Sequence, residues 1–475
     1  MPYYSPHFVN PRAKNIAKFV IRWGIAVVGI WWVIANMTLR DTVLLLDPQT
    51  NLPRHATLVK HAEEDARTFE IVDPQTGKVE TVDRTQVINP SSSKRLQITL
   101  DGKPTEAQLL GMRLVGDINH NPTVRQLLVK PAASAQGAWI FPSDVVGGFT
   151  LDVPRPRVEV GIISMIKGAE PWLLVLAVAV FPITFIITSY RWHKLLVAVE
   201  VNMTLWRTFV INMVGAFYNT FMPGSTGGDV LKAYYASKQT PHRMRAVMSV
   251  VVDRILGLIA LVMLGGVMAS YQYLQNPTTS DPTSRECLHV ALLSALIIAA
   301  CGIGTAFLFQ PTLRKIVGLD FILGKLPMQR QIDSARVVMG MYRRQPMLVL
   351  WATLVTLPVH ITVVLAALFA GKAFGLPLRP LYYFTAVPVI VLVGSIPISP
   401  QGAGVMEFFA IALTQKQGAT VSQAFALTMS IRVVQILWNL TGGIFVLRGG
   451  FHAPTEAEKH ELEEDDDEDT RGEAA

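Results

Sequence analysis

The chain has little cysteine and little charge for its 475 residues. Its two cysteines, Cys287 and Cys301, lie 14 positions apart on one predicted helix. At a rise of about 1.5 Å per residue they are separated by about 21 Å, which excludes a disulfide bond between them. Charged residues make up 16% of the chain, hydrophobic residues make up 51%, and the mean hydropathy is +0.36. This composition favours a membrane protein over a nucleic-acid-binding one.

Long apolar runs recur along the chain, and a run of about 18 or more residues with few charges predicts a membrane-spanning helix. The first run covers residues 18–39 and follows Arg12, Lys14 and Lys18. Because Lys and Arg near helix ends stay in the cytoplasm, we expect the N-terminus there, in a domain of residues 1–40. Further spans are predicted at residues 171–190, 246–270, 288–309, 347–370 and 421–447.

Residues 41–158 differ in character from the rest of the chain. Alternating runs such as 68–72 and 78–82 flank the turn sequence DPQTG, and short runs at 96–100 and 124–129 are bounded by Pro, Gly, Asn and Asp. This pattern predicts a small, mostly β domain outside the cytoplasm. Its scattered histidines form no metal-binding pattern, and we interpret them as solvated loop residues.

The C-terminal segment 451–475 carries eleven acids and two bases from position 456 onward. Such runs of like charge repel themselves, so the sequence predicts a disordered tail. It follows a predicted membrane domain of residues 159–450, and Arg448 at its end indicates a cytoplasmic C-terminus.

Two Gly- and Pro-rich motifs, NTFMPGSTGGD and IPISPQGAGVME, interrupt weaker apolar stretches. The first ends at Asp229 and the second at Glu407. An arginine follows each acid after 25 positions: Arg254 follows Asp229, and Arg432 follows Glu407. Interrupted helices at corresponding places in two halves of a membrane protein point to a central binding site. The alternative is that Gly and Pro simply build tight turns.

The basic residues on both sides of residues 206–229 favour a hairpin that enters and leaves from the cytoplasm. Residues 228–245 and 310–345 are then cytoplasmic, and residues 383–414 form a second hairpin from outside. The predicted fold is therefore an all-α polytopic membrane protein with inverted repeats and two re-entrant helical hairpins, plus the mostly β insert outside the membrane.

The polar residues near these motifs are the candidate substrate-binding residues. Glycines allow close backbone approach to a ligand, N–H groups at a helix N-terminus bind anions, and charges at membrane depth usually face a cavity. The candidates are Gly227, Gly228, Asp229, Lys232, Arg254, Gly402, Gly404, Glu407 and Arg432. Internal ion pairs that lock the repeats together, or arginines that extend to the interface, are the alternative. His360 is expected to pack against a neighbouring backbone.

Three ordered motifs resemble the lysylphosphatidylglycerol synthase transmembrane-region family, also called flippase-like. They are N-x3-P-G-x2-G-G-D-x2-K ending at Lys232, VDR-x2-G containing Asp253, and P-x2-P-x-G-x-G-x2-E ending at Glu407. Family members usually have Arg at the position of Lys232 and often Glu at that of Asp253. The resemblance covers about 171–450 and implies a membrane domain that moves or binds lipid head groups. The best-known member continues into an aminoacyl-transferase domain, and because an acidic tail follows the last predicted helix here, we do not expect this chain to aminoacylate lipids.

We therefore predict a multi-pass protein of a bacterial plasma membrane that transports a lipid or lipid-linked intermediate. Its partners would be phospholipid or polyprenyl-linked head groups, with a separate lipid-modifying enzyme and no nucleic acid. We predict no enzymatic activity, cofactor or metal. One alternative is a membrane transferase acting on a polyprenyl-linked or phospholipid substrate, although Asp320 and Asp333 lie far apart in the largest cytoplasmic loop. Another is a membrane anchor whose β insert does the binding.

Overall fold

The computed structural model describes most of the chain. The described residues are 24, 27–35, 37–47, 50–62, 66–73, 76–90, 95–100, 103–115, 123–132, 134, 136–147, 149, 156–221, 227–277, 282–309, 337–396, 399–449 and 451. The predicted acidic tail, most of the 310–345 loop, and the centre of the first Gly/Pro motif lie outside these residues. The first helix, α1, is described at residues 27–35.

A sheet of ten antiparallel strands follows α1. The strands are β1 (Thr42–Leu46), β2 (Pro53–Leu58), β3 (Thr68–Val72), β4 (Val79–Asp83), β5 (Val87–Pro90), β6 (Arg95–Leu100), β7 (Lys103–Val115), β8 (Thr123–Pro131), β9 (Ala138–Ile140) and β10 (Val158–Glu159). Their main order is β4-β3-β2-β1-β5-β7-β8-β9, with β6 beside β7 and β10 beside β1.

The predicted alternating runs form strands in the expected places. Val72 pairs with Val79 across the β3–β4 turn, where Asp73 Oδ1 accepts a hydrogen bond from the Thr76 amide at 2.8 Å. Gly77 takes a left-handed φ of 69° in this turn, a conformation that glycine adopts without steric cost. These contacts confirm the two strands that the sequence predicts on either side of this turn.

The two ends of the β region lie side by side. Thr42 of β1 pairs with Glu159 of β10, and the Gly161 amide donates to Asp41 Oδ1 at 2.8 Å. A Cβ on Gly161 would collide with the backbone of Arg40, so this close approach requires glycine. The β region is therefore inserted between α1 and the helices that follow.

The remaining elements are helical. They are α2 (Ile162–Lys167), α3 (Pro171–Val180), α4 (Ile183–Ala198), α5 (Leu205–Phe221), α6 (Gly227–Ser237), α7 (Arg243–Gln275), α8 (Pro282–Phe309), α9 (Pro346–Ala373), α10 (Pro380–Ser395), α11 (Val405–Thr414), α12 (Val421–Thr441) and α13 (Gly443–Leu447). Short 3₁₀ turns at Pro400–Gly402 and Gln415–Gln417 flank α11.

Five helices in the described residues are long and apolar enough to cross a membrane. They are Pro171–Ala198, Arg243–Gln275, Thr283–Gly304, Pro346–Ala373 and Val421–Leu447. These agree with the five spans that the sequence predicts after the β region. Large apolar side chains such as Leu292, Leu293 and Leu296 point outward from α8, as expected for a helix that faces lipid.

Two pairs of shorter helices form hairpins, which we call the first hairpin (α5 and α6) and the second hairpin (α10 and α11). Each hairpin packs on the long helix that follows it, which is α7 for the first hairpin and α12 for the second. Each hairpin also packs on the long helix that follows the other hairpin. Thus α7 contacts α10 of the second hairpin, and α12 contacts α5 of the first. Each of the two long helices, α7 and α12, therefore contacts both hairpins.

The hairpins begin and end at opposite ends of the helical bundle. At one end, Arg245 pairs with Glu200, and Tyr342 donates to the Leu195 carbonyl at 2.9 Å. The first hairpin starts and finishes there. At the other end, the Thr38 amide donates to Ser422 at 3.2 Å, which brings the β region beside the loop that leaves the second hairpin.

Candidate functional site

The first hairpin is held tightly closed by glycine. A Cβ on Gly228 would collide with the carbonyl oxygen of Gly215, and a Cβ on Gly215 would lie 2.6 Å from Cγ of Lys232. The absence of side chains therefore lets α6 lie against α5 and lets the Lys232 stem cross Gly215. The Asn219 side chain accepts from the Gly228 amide at 3.5 Å, the long limit of such a contact.

Three residues in the turn of the second hairpin have left-handed backbone conformations. Gln401, Gly402 and Gly404 all have positive φ, at 49°, 68° and 82°. A Cβ on Gly402 would lie 2.6 Å from the Cα of Gly394, so the close return of this turn onto α10 requires glycine. The glycines of the second motif therefore build a tight turn, which is one of the two interpretations that the sequence allows.

The two interrupted hairpins meet. Gln401 Nε2 donates to the Thr220 carbonyl at 2.8 Å, joining positions that are 181 residues apart. Thr220 lies at the end of α5, where the backbone carbonyls of a helix have no partner within it. This hydrogen bond links the turn of the second hairpin to the C-terminal end of α5 in the first hairpin.

A cavity of about 380 Å³ lies where the hairpins meet. Its wall combines residues of the first hairpin, residues of the second hairpin, Phe181 between α3 and α4, and residues of α4, α7, α9 and α12. We call it the central cavity. Apolar side chains line much of it, including Phe181, Phe185, Leu258, Leu261, Val363 and Ile436. Its volume lies within the range of small-molecule sites, at the lower end.

Asp229 and Arg254 form an ion pair at the cavity wall. Arg254 Nη1 donates to Asp229 Oδ2 at 3.1 Å, and both residues line the cavity. The Arg254 side chain is 33% exposed and the Asp229 side chain is 27% exposed. Asp229 lies in the first turn of α6, where the helix dipole favours a negative charge. Of the charged groups at this site, these two are the most accessible to a ligand.

Beneath this pair lies a buried triad of Arg191, Lys232 and Asp253. Asp253 Oδ1 accepts from Arg191 Nε at 2.8 Å, and Asp253 Oδ2 lies 3.5 Å from Lys232 Nζ. All three side chains are less than a tenth exposed. One carboxylate thus serves two cations, and the triad carries one net positive charge.

The triad is anchored by neutral neighbours. Arg191 also donates to the Thr356 hydroxyl at 2.5 Å and to the Asp253 carbonyl at 3.2 Å. Lys232 Nζ lies 4.5 Å from the centroid of the Trp192 ring, a cation–π geometry that suits a desolvated ammonium. Every group of the triad therefore has partners, as buried charges require.

Glu407 and Arg432 form the corresponding pair of the second half. Arg432 Nη1 lies 2.8 Å from Glu407 Oε1, and Glu407 is completely buried. The other oxygen, Oε2, accepts from the Gly404 amide at 2.7 Å at the start of α11. This backbone donor, expected from the sequence to be available to an anionic ligand, is thus occupied by the protein's own carboxylate.

The predicted site residues divide into two groups. Gly228, Asp229, Lys232 and Arg254 line the central cavity. Gly227, Gly402, Gly404, Glu407 and Arg432 are not among its lining residues. The second motif instead contributes Gln401 and Met406, and α10 contributes Gly394 and Ser395.

Two charged residues of the cavity were not among the sequence-derived candidates. In the sequence, Arg191 is one of the basic residues that precede the first hairpin and indicate its cytoplasmic start, and Asp253 belongs to the VDR-x2-G motif. A signal existed in the position of Arg191 itself, since it is followed by further apolar residues within the same long helix. His360 also lines the cavity, and its Nε2 lies 2.8 Å from the Gly257 carbonyl, as the sequence led us to expect of it.

Within the described residues, no three or more His, Cys, Asp or Glu side chains lie close enough together to hold a metal ion. The described charged cluster is instead an alternation of cations and carboxylates. Arginine and lysine in a low-dielectric cavity bind anionic oxygens of phosphate or carboxylate groups well. Asp320 and Asp333, on which the transferase alternative depended, lie outside the described residues.

Comparison with known proteins gives the following matches. Residues 161–443 match the family described as the lysylphosphatidylglycerol synthase TM region. The UPF0104 membrane protein PH1989 of Pyrococcus horikoshii is 22% identical over 317 residues, which covers 60% of this chain and 90% of that protein. The β region lies before the matched residues.

Proposed function

The chain belongs to the lysylphosphatidylglycerol synthase transmembrane-region family. We propose from this that it transports a lipid or lipid-linked intermediate across the plasma membrane by binding an anionic head group in the central cavity. The observation that carries the proposal is the convergence of Arg191, Lys232 and Arg254 with two carboxylates in the wall of one cavity within a bundle of apolar helices. Charges at membrane depth usually mark the pathway of a substrate.

The proposed frame is a pair of inverted repeats with two re-entrant hairpins. Three observations support it: the hairpins begin at opposite ends of the bundle, each packs on the long helix of the other half, and each half contains an acid–arginine pair separated by 25 residues. In such a frame the cavity lies near the bilayer midplane, and rocking of one repeat against the other exposes it to each side in turn.

The two acid–arginine pairs differ in accessibility, and this difference supports an alternating mechanism. The Asp229–Arg254 pair lines the cavity, whereas the Glu407–Arg432 pair is closed off behind Met406, whose sulfur lies 3.8 Å from Arg432 Nη2. We propose that this conformation opens one half of the site and that the opposite conformation opens the other.

Reconstitution of the purified full chain into vesicles tests the proposal. Fluorescent lipids placed in the inner leaflet become accessible to a membrane-impermeant quencher when they cross. We expect faster crossing of a phosphate-bearing lipid than in empty vesicles, loss of that effect in Arg254→Ala, and normal crossing in Lys372→Gln, an exposed residue outside the cavity. Equal rates in protein-containing and empty vesicles for every lipid tested would refute transport.

A further inference from the structure

The charges around the central cavity do not balance. Arg191, Lys232 and Arg254 contribute three positive charges, whereas Asp229 and Asp253 contribute two negative charges. His360 also lines the cavity, with Nε2 2.8 Å from the Gly257 carbonyl, and we count it as uncharged because an apolar setting disfavours the charged imidazole. The described lining therefore carries one net positive charge.

An unbalanced charge away from water is costly, and the cost falls when a ligand supplies the opposite charge. A ligand with a single negative charge brings the cavity to neutrality. A zwitterion leaves the excess charge uncompensated, and a dianion creates an excess of the opposite sign. Electrostatic interactions are strong in this setting because the effective dielectric constant is far below that of water.

The location of the charges indicates where the ligand would bind. The triad is buried, so its excess charge acts through the field it creates rather than by direct contact. Arg254 is the most exposed of the three cations and already faces the cavity. Its planar guanidinium can bind two oxygens of a phosphate group, whereas Asp229 beside it disfavours additional negative charge.

From this charge count we propose that the central cavity selects a phosphodiester head group with one net negative charge over a zwitterionic phosphodiester and over a phosphomonoester. This inference rests on the proposed function, because it specifies the ligand of the same site. A volume of about 380 Å³ accommodates a head group, and the acyl chains would remain in the bilayer.

Binding of defined lipids to the full chain in detergent, followed by native mass spectrometry, tests the inference. The probes are phosphatidylglycerol (one negative charge), phosphatidylcholine (net neutral) and phosphatidic acid (a phosphomonoester). We expect phosphatidylglycerol to bind at least about tenfold more tightly than the other two, a factor that corresponds to about 1.4 kcal/mol. Inorganic phosphate is added as a competitor to separate recognition of a lipid head group from recognition of free phosphate.

Variants that change the charge count provide the sharper test. Arg254→Gln makes the count neutral and should shift the preference towards phosphatidylcholine, whereas Asp229→Asn raises it and should shift the preference towards phosphatidic acid. Lys372→Gln removes a charge from an exposed position outside the cavity and should leave the wild-type order unchanged. If Arg254 only formed a hydrogen bond to the phosphate group and net charge did not matter, Arg254→Gln would weaken the binding of all three lipids equally. That result would contradict selection by charge.

The outcomes separate the inference from the proposed function. Selective binding of phosphatidylglycerol without movement in vesicles would support the inference and refute transport. If all three lipids bound with equal affinity and were all transported, the inference would be overturned and the proposed transport would stand. The same holds if the order of lipid affinities were unchanged in both charge variants. Displacement of phosphatidylglycerol by inorganic phosphate at equal concentration would overturn the assignment of a lipid head group.

Discussion

Arg254 donates to Asp229 at 3.1 Å across a separation of 25 residues, which joins the start of α6 to the first half of α7, the helix that follows. The second half repeats this relationship, because Arg432 lies 2.8 Å from Glu407 at the same separation. Equal spacing in sequence thus corresponds to equal pairing in space. What differs is the environment: the first pair faces a cavity and the second is enclosed.

This difference in environment leads to different expectations for the stability of the two arginine variants. Replacing Arg432 with Ala leaves the fully buried Glu407 without its cation, which should cost about 3–5 kcal/mol of stability. Replacing Arg254 with Ala disrupts a partly exposed pair, which should cost about 0–1 kcal/mol. Thermal unfolding in detergent would measure both.

Transport measured per folded molecule should fall in both variants, because the proposed cycle exposes the Asp229–Arg254 pair in one conformation and the Glu407–Arg432 pair in the other. From sequence alone the two arginines are indistinguishable. Equal stability of the two variants would show that enclosure of the second pair is energetically unimportant.

The buried triad should behave as one unit. Arg191→Leu leaves Asp253 with Lys232 alone at 3.5 Å, and we expect a loss of about 3–5 kcal/mol in the free energy of unfolding. Combined with Asp253→Asn, the loss should fall short of the sum of the single losses by about 0.5–3 kcal/mol, because the two residues share one interaction.

The matched control for the triad is Arg245→Leu, which breaks an ion pair with Glu200, a side chain 67% exposed. It should cost no more than about 1 kcal/mol. Simple additivity of Arg191→Leu and Asp253→Asn would contradict coupling within the triad.

The closure of the first hairpin should depend on Gly228. An added Cβ there would meet the Gly215 carbonyl oxygen and lie 2.9 Å from the Asn219 Cβ, so Gly228→Ala should cost about 1–3 kcal/mol through overpacking. Gly302 on α8 has no described atom within 4 Å of an added Cβ, and Gly302→Ala should gain about 0.5–1 kcal/mol. Parallel thermal melts decide between these signs, and a stabilising Gly228→Ala would show that the helices can separate freely.

The orientation of the chain in the membrane is a further prediction. The distribution of Lys and Arg places residues 41–158 outside and residues 228–245 inside. In a background in which Cys287 and Cys301 are replaced by Ser, an impermeant maleimide applied to intact cells should label Ser91→Cys. It should label Lys238→Cys only after permeabilisation. The opposite pattern would invert the topology and exchange the two sides of the proposed cycle.

The sequence by itself determined the membrane spans and most of the β region. A long apolar run identifies a spanning helix without knowledge of its neighbours, and all five spans after the β region were found in this way. The β3–β4 hairpin was equally local, since its turn residues and alternating strands are adjacent in the chain. The motifs also identified Asp229 and Arg254 as candidate site residues, and left open whether they bind a substrate or pair with each other.

Only the tertiary structure decided which polar groups share the cavity. Arg191 reaches Asp253 across 62 positions, and Gln401 reaches Thr220 across 181, distances over which no periodicity carries information. The enclosure of Glu407 likewise depends on how α11 and α12 pack together. A sequence pattern records the period of an element, whereas burial and charge balance arise only when several elements meet.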